Sequence, residues 1–334
     1  MGIIKRKIGN RQEYNFKNIT SVLLLIVLFL VPFFADPYIQ HLVIICFIWG
    51  VVATAWNLIM GYAGVFSFAQ LAFFSVGAYA AGLSEVYFGI SPWIGLFFGG
   101  IFASLCGYFL AFPCLRLRGL YIVLVTLAFH NVIPIFIKLT GKWTGGDVGL
   151  MGMPHYNFFG FSFAGSKTGY YYLSFVAFLV FHYIMYRIIH SKTGLAFVAL
   201  RDSSDFAESL GVNRERGVMQ VFIISAFITG FMGALYVHYL KVATPRLLEL
   251  ELFITALMMM VFGGMGQFSG AIIGAFIVTF LNESLRTAAS IRPILFGTAI
   301  IVVVLFFPGG LSRLVDQLFE SLRRIVYISD RQER

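Results

Sequence analysis

Four polar but uncharged side chains, Asn57, Ser67, Gln70 and Ser75, interrupt a stretch that is otherwise apolar. Groups of this kind suit a solute without net charge, and helix ends beside them can receive the ammonium and carboxylate of a zwitterion. They serve equally well as hydrogen-bond partners for neighbouring helices. A glycine pattern accompanies them. Gly61, Gly64, Phe66 and Ser67 form Gly-x-x-Gly-x-Phe-Ser, and Gly263, Gly266, Phe268 and Ser269 repeat it at the start of a second apolar run. Glycines so placed can break a helix and present free backbone groups at a cavity. A third group is charged: Arg201, Asp202, Asp205 and Glu208 lie among Leu195, Phe197, Leu200, Phe206 and Leu210. That mixture predicts one or two short amphipathic helices, which can be a solvated connection or a docking surface.

Other chemistry is missing from the sequence. There is no His-Glu-x-x-His, no Gly-x-Ser-x-Gly elbow and no pair of aspartates within an apolar run. Cys46, Cys106 and Cys114 show no metal spacing. Gly160, Gly165, Ser166, Lys167 and Thr168 imitate a phosphate loop, but the lysine comes one residue late. None of the 15 carboxylates falls in the middle of an apolar run, and His130 is the one titratable group expected to be well buried. A proton-coupled carrier keeps an ionisable relay near the bilayer midplane, so the chain offers no obvious motor of its own. No catalytic residue, metal or cofactor is expected.

The elements that must position these groups are membrane helices. Only 12% of the 334 residues are charged and 59% are hydrophobic, against roughly 25% charged in a soluble domain. Apolar runs near 20 residues, the length that crosses about 30 Å of hydrocarbon, recur along the chain. They predict an all-α, polytopic transmembrane bundle of about 8 to 10 spans, some short or discontinuous. The spans are expected at 21–34, 39–60, 65–83, 93–112, 121–137, 171–189, 218–240, 252–262, 268–281 and 293–307. The piece 252–262 is too short to cross alone and is either re-entrant or extended by its neighbours. The basic start, with Lys5, Arg6, Lys7, Arg11 and Lys17, leads into a run that ends at Phe34 without a small-residue cleavage site, so it reads as a retained span.

Lysine and arginine set the orientation. With the amino terminus in the cytoplasm, 17 of the 24 cations fall on the inner side, which favours both termini inside. The net charge of +9 is thereby explained by topology rather than by a nucleic-acid partner. The organisation expected is a basic terminus (1–20), a membrane domain (21–308) with an outer loop at 139–169 and an inner loop at 190–217, and an amphipathic tail (309–334) lying along the inner membrane surface.

Several segments, in order, resemble the LivM-type permeases of branched-chain amino acid ABC importers and the related amide and urea permeases. They are NLIMGYAGVFSFAQLAFFSVGAYAAG at 57–82, RLRGLYIVLVTLAF at 116–129, TGGDVGL at 144–150, GALYVHY at 233–239, VFGGMGQFSGAIIG at 261–274 and FFPGGL at 306–311, together with the inner loop. The resemblance implies that the inner loop carries a coupling helix for an ATPase, through Gly194, Ala199, Arg201, Asp202, Ala207, Glu208 and Gly211. It implies a second permease subunit, cytoplasmic ATPase subunits, an extracytoplasmic binding protein and the inner membrane as location. One departure is Leu195, where relatives usually show a basic residue. A translocation path past Asn57, Gly61, Gly64, Ser67, Gln70, Ser75, Gly263 and Gly266 is expected. Urea or short-chain amides remain alternative substrates, and a secondary carrier or a membrane enzyme the rival classes.

Overall fold

A computed structural model describes residues 23, 25–158, 161–165, 167–286, 291–306 and 310. The basic start and the amphipathic tail predicted beyond residue 310 lie outside the described residues, as do two members of the imitation phosphate loop, Gly160 and Ser166. Among the described residues, ten apolar helices make up the bundle. Six are long enough to cross a bilayer unaided: α2 (Pro37–Asn57, prolonged by a π-helical turn at Leu58–Tyr62), α3 (Gln70–Phe88), α4 (Pro92–Leu115), α5 (Leu120–Leu139), α7 (Lys167–Ile189) and α10 (Arg214–Leu240). Four are shorter: α1 (Leu25–Phe34), α11 (Leu250–Gly263), α12 (Phe268–Ser284) and α13 (Arg292–Phe306). Three small helices join them: α6 (Gly141–Thr144), α8 (Lys192–Asp202) and α9 (Ser204–Ser209).

The helices begin and end where the sequence supplies the chemistry for it. Proline opens α2 and α4, where its missing N–H costs nothing. Side-chain caps start α8 (Ser191 accepting from Gly194 N), α9 (Ser203 from Phe206 N) and α10 (Asn213 from Arg216 N), each satisfying an orphan backbone donor. Gly89, left-handed, ends α3.

The two ends of the bundle differ. At one, β1 (Leu150–Met151) pairs antiparallel with β4 (Val242–Ala243), and β2 (Asn157–Phe158) with β3 (Phe161–Ser162). At the other lie α8 and α9. The short α11 starts inside the bundle, where His130 midway along α5 bonds Leu248 O, and finishes beside α8; α12 returns, and Tyr38 at the start of α2 donates to Glu283 at its far end. Helices α11 and α12 thus form a hairpin that brings the chain back to the side it left. The expected span 65–83 is corrected: residues 63–69 are not helical and α3 begins at Gln70.

Packing centres on α3, α4 and α10. Gly77, Gly99 and Gly230 let these helices meet backbone to backbone, since a Cβ on any of them would strike main-chain atoms of another. Close approach of this kind replaces the hydrophobic drive that lipid does not supply. Helix α5, by contrast, leaves most of its surface exposed, including Leu124, Val132, Ile135 and Phe136.

Candidate functional site

The two glycine motifs meet each other. Asn57, fully buried at the end of α2, accepts through Oδ1 from Gly266 N (2.8 Å) and donates through Nδ2 to Gln267 O (2.9 Å). One side chain therefore ties the break after α2 to the break between α11 and α12. The backbones touch at Gly61, where a Cβ would collide with both Asn57 Oδ1 and Gly266 N. Around this contact the α2 ladder widens to a π-turn, a distortion that concentrates at functional positions.

Arg201, from the last turn of α8, reaches into the same junction. Its Nη1 donates to Gly61 O (2.9 Å), a charge-assisted bond to a carbonyl of the π-turn. The stem of the side chain occupies the space beside Gly64, whose φ of +67° and lack of a Cβ are both required there. Nη1 also stands 3.1 Å from where a Cβ on Gly266 would be. The ion pair from Arg201 to Asp202 (2.8 Å) is largely exposed and adds little. Gly263 packs where a side chain would strike Gly270 O on α12, and Gly310 lies against Gly264.

The rest of the 190–217 segment is a compact two-helix cap. Gly194 is buried against the carbonyls of Ile188 and Ile189, Ala199 O accepts from Ser203 N, and Ala207 is buried with its carbonyl receiving Leu210 N and Val212 N. Glu208 accepts from Ser204 Oγ (3.2 Å), and Gly211 adopts a φ of +87° with open space beside it. Leu195, Phe206 and Leu210 are 69%, 64% and 70% exposed, which leaves apolar side chains on the cap's free surface.

Of the polar residues expected along a path, Asn57, Ser67 and Gln70 are hydrogen-bonded within the bundle and Ser75 is not. Ser67 sits in the non-helical segment, not on a helix face shared with Gln70; its carbonyl accepts from Trp56 Nε1 (2.8 Å) and its hydroxyl from Ala69 N (3.4 Å). Gln70 donates to Ser225 Oγ (3.0 Å) and to Thr229 Oγ on α10, and Ser225 in turn donates to Ala55 O (2.8 Å). Ser75 Oγ is enclosed without a hydrogen-bond partner and borders an apolar cavity of about 600 Å³ between α3, α4 and α5, lined also by Tyr79, Phe98, Phe102 and Ile133. Asn57, Ser67 and Gln70 are all fully buried, so in this conformation they hold helices together. Replacing Gln70 with leucine should leave the Thr229 hydroxyl without its partner in the core, at a cost of about 1–3 kcal/mol, and a melting curve of the purified protein should fall accordingly.

Residues 38–308 match the family described as branched-chain amino acid transport system / permease component. The chain belongs to that family. It is 25% identical over 302 residues to the "High-affinity branched-chain amino acid transport system permease protein LivM" of Escherichia coli (strain K12), covering 84% of this chain and 71% of the relative. The LivM of Salmonella typhimurium is 26% identical over 277 residues, covering 76% of this chain and 65% of the relative. A "Probable branched-chain amino acid transport permease protein LivH" of Methanocaldococcus jannaschii is 26% identical over 230 residues, covering 66% and 71%. No solved structure matches the chain.

Two anchors of the cap in this permease escaped the sequence. Arg214 donates to Leu115 O (2.7 Å) and Leu117 O (2.9 Å), fastening the start of α10 to the end of α4. Arg118 pairs with Asp205 (3.0 Å) across an exposed surface. A cation directly after a helix-capping asparagine was a signal for the first, because a fixed guanidinium there can reach the free carbonyls at the end of another helix. Glu85, His182 and His238 were missed as well: all three are buried, each at its own place in the bundle, so His130 is not the one buried titratable group.

Proposed function

We propose that this chain is the membrane-spanning subunit of an ATP-driven importer and that it passes branched-chain amino acids through the inner membrane. The observation that carries this reading is the Arg201 contact. The α8–α9 cap, whose free surface offers Leu195, Phe206 and Leu210, is joined through one guanidinium to the place where two interrupted helices touch. A force applied to the cap therefore arrives at glycine breaks in α2 and in the α11–α12 hairpin, the points where the bundle can bend. An ATPase subunit bound to the cap supplies that force, and a second permease subunit covers the exposed face of α5. The lysine and arginine distribution supports a cytoplasmic cap and cytoplasmic termini, with the β end outside to receive a loaded binding protein. Because the coupling is reciprocal, that loaded protein favours closure of the ATPase pair.

The names of the relatives support a branched aliphatic amino acid as solute, and the neutral side chains near the breaks suit a zwitterion. Reconstituted alone in liposomes, the chain should be inert. With its ATPase, partner permease and binding protein it should accumulate labelled leucine only when ATP is present on the cap side, and unlabelled isoleucine and valine should compete. Uphill accumulation by the chain alone under an ion gradient would replace this reading with a secondary carrier, and competition by urea but not by isoleucine would replace the solute.

A further inference from the structure

At the β end, α3 and α10 are joined by a contact that hydrogen-bond accounting shows to be incomplete as ordinarily drawn. Glu85 and His238 are both wholly enclosed, and Glu85 Oε2 lies 2.5 Å from His238 Nε2. The other ring nitrogen, Nδ1, lies 2.6 Å from Ala234 O, one helical turn back. A carbonyl oxygen only accepts, so Nδ1 must carry hydrogen. A neutral imidazole then has a lone pair at Nε2, and an ionised carboxylate has nothing but lone pairs. Two acceptors face each other at hydrogen-bond distance in a site without solvent, which is repulsive. One further proton resolves it, either on Nε2 or on Oε2.

We propose that Glu85 and His238 form a one-proton binding site inside the membrane domain, and that the shared proton is what fastens α3 to α10 beneath the β1–β4 segment. His182 shows why the inference is specific. It too directs Nδ1 at a carbonyl, Phe178 O (2.8 Å), but its Nε2 faces the Thr54 hydroxyl (3.1 Å), a rotor that also lies 2.7 Å from Gly50 O and can turn its one hydrogen to the ring, so no extra proton is forced. At His238 the partner cannot donate unless protonated.

The surroundings are built around the pair. Gly95 on α4 lies where any Cβ would strike Glu85 Oε1, so this helix yields space to the carboxylate. That oxygen and the hydroxyl of Tyr156 are both enclosed and without partners. The Tyr156 ring lies 5.0 Å from the His238 ring and 5.9 Å from that of Tyr170 on α7. Lys241, just past α10, donates to Pro154 O (2.9 Å) and stands over the Tyr170 ring. Lys241 thus brings one cation to the tyrosines that neighbour the pair. Release of the proton would set acceptor against acceptor and free the carboxylate to take the Tyr156 hydroxyl, which loosens α10 from α3 where the 150–157 segment is seated.

The test uses the full chain with its partner subunits in lipid nanodiscs at pH 7, because burial lowers the Lys241 pKa to about 8 and its own titration must stay out of the window. Nitrogen-15 NMR of labelled histidine, assigned by loss of signal in H238Q, is read together with the infrared carboxyl bands of carbon-13 glutamate, assigned in E85Q. Both ring nitrogens protonated beside an ionised Glu85, or a neutral ring beside a protonated Glu85, each count the one proton expected. A neutral ring beside an ionised Glu85 overturns the proposal. A second measurement asks whether a hydrogen bond suffices. Glutamine can donate permanently to Nε2, so E85Q should melt within about 2 °C of the wild type, whereas E85L should melt lower by about 5 °C or more. E85Q falling as far as E85L, or E85L melting with the wild type, also overturns it. Neither readout involves transport, so failure here is distinct from failure of the importer reading.

Discussion

Replacing Gly230 with leucine is expected to abolish the folded permease, leaving under about a tenth of the wild-type yield of monodisperse protein after solubilisation. The reason is local. A Cβ on Gly230 would collide with Ala103 and lie 2.7 Å from Gly99 O, while Gly77 and Gly99 are pressed equally hard against the backbone of the facing helices. Three helices, α3, α4 and α10, thus share one contact point with nothing larger than an alanine methyl between them. Even a methyl group forces a shift there, and overpacking of this sort costs about 1–3 kcal/mol. Leucine needs several times that volume and can turn nowhere, in a fold whose total stability is of the order of 5–15 kcal/mol. Gly297→Leu in α13 is the matched control. Nothing lies within 4 Å of its missing Cβ, so leucine there should preserve the yield. Equal yields from the two variants would mean that the α3–α4–α10 contact does not hold the bundle.

How far the sequence foretold this arrangement depends on which property is asked of it. Hydropathy marks residues that leave water, and it located the ten apolar helices with the short pair α11 and α12 among them. It does not say which way a residue faces within a bundle, because lipid and protein interior are equally apolar. Asn57, Ser67 and Gln70 therefore read as pore-lining and stand in the structure as ties between helices. The start of α3 was misplaced by five residues because Val65 to Ala69 is apolar enough to be helical, while Gly64 and the hydroxyl of Ser67 set another course. Glu85 was read as lying beyond its span, since Leu83 ended the apolar run. The helix continues to Phe88, and Gly95 gives the carboxylate room. The echo of Gly-x-x-Gly-x-Phe-Ser was visible as a pattern, but its meaning was not. Only the fold brings the two copies together, and only there does Asn57 bond the second copy while Arg201 bonds the first.

That junction makes the second strong prediction. In the assembled importer, Arg201→Ala should lower ATP-driven uptake at least tenfold while ATP hydrolysis persists. Loss of the guanidinium takes away the donor to Gly61 O, a charge-assisted bond worth about 1.5–3 kcal/mol, and leaves an empty slot between Gly64 and Gly266. The cap would still fold, because Ser191, Ser203 and Asn213 cap their helices without it. The ATPase would therefore still bind and turn over, but cap motion would no longer pull on the breaks. Arg201→Lys should recover part of the uptake: an ammonium can reach one carbonyl, though it lacks the planar fork that fills the junction. Asp202→Asn should change little, since the ion pair it removes is mostly in solvent. If Arg201→Ala reduced hydrolysis and uptake in equal proportion, the residue would belong to the ATPase interface, and the route from cap to glycine breaks would have to run elsewhere. Arg214, which grips the end of α4 through Leu115 O and Leu117 O, would then be the next lever to test.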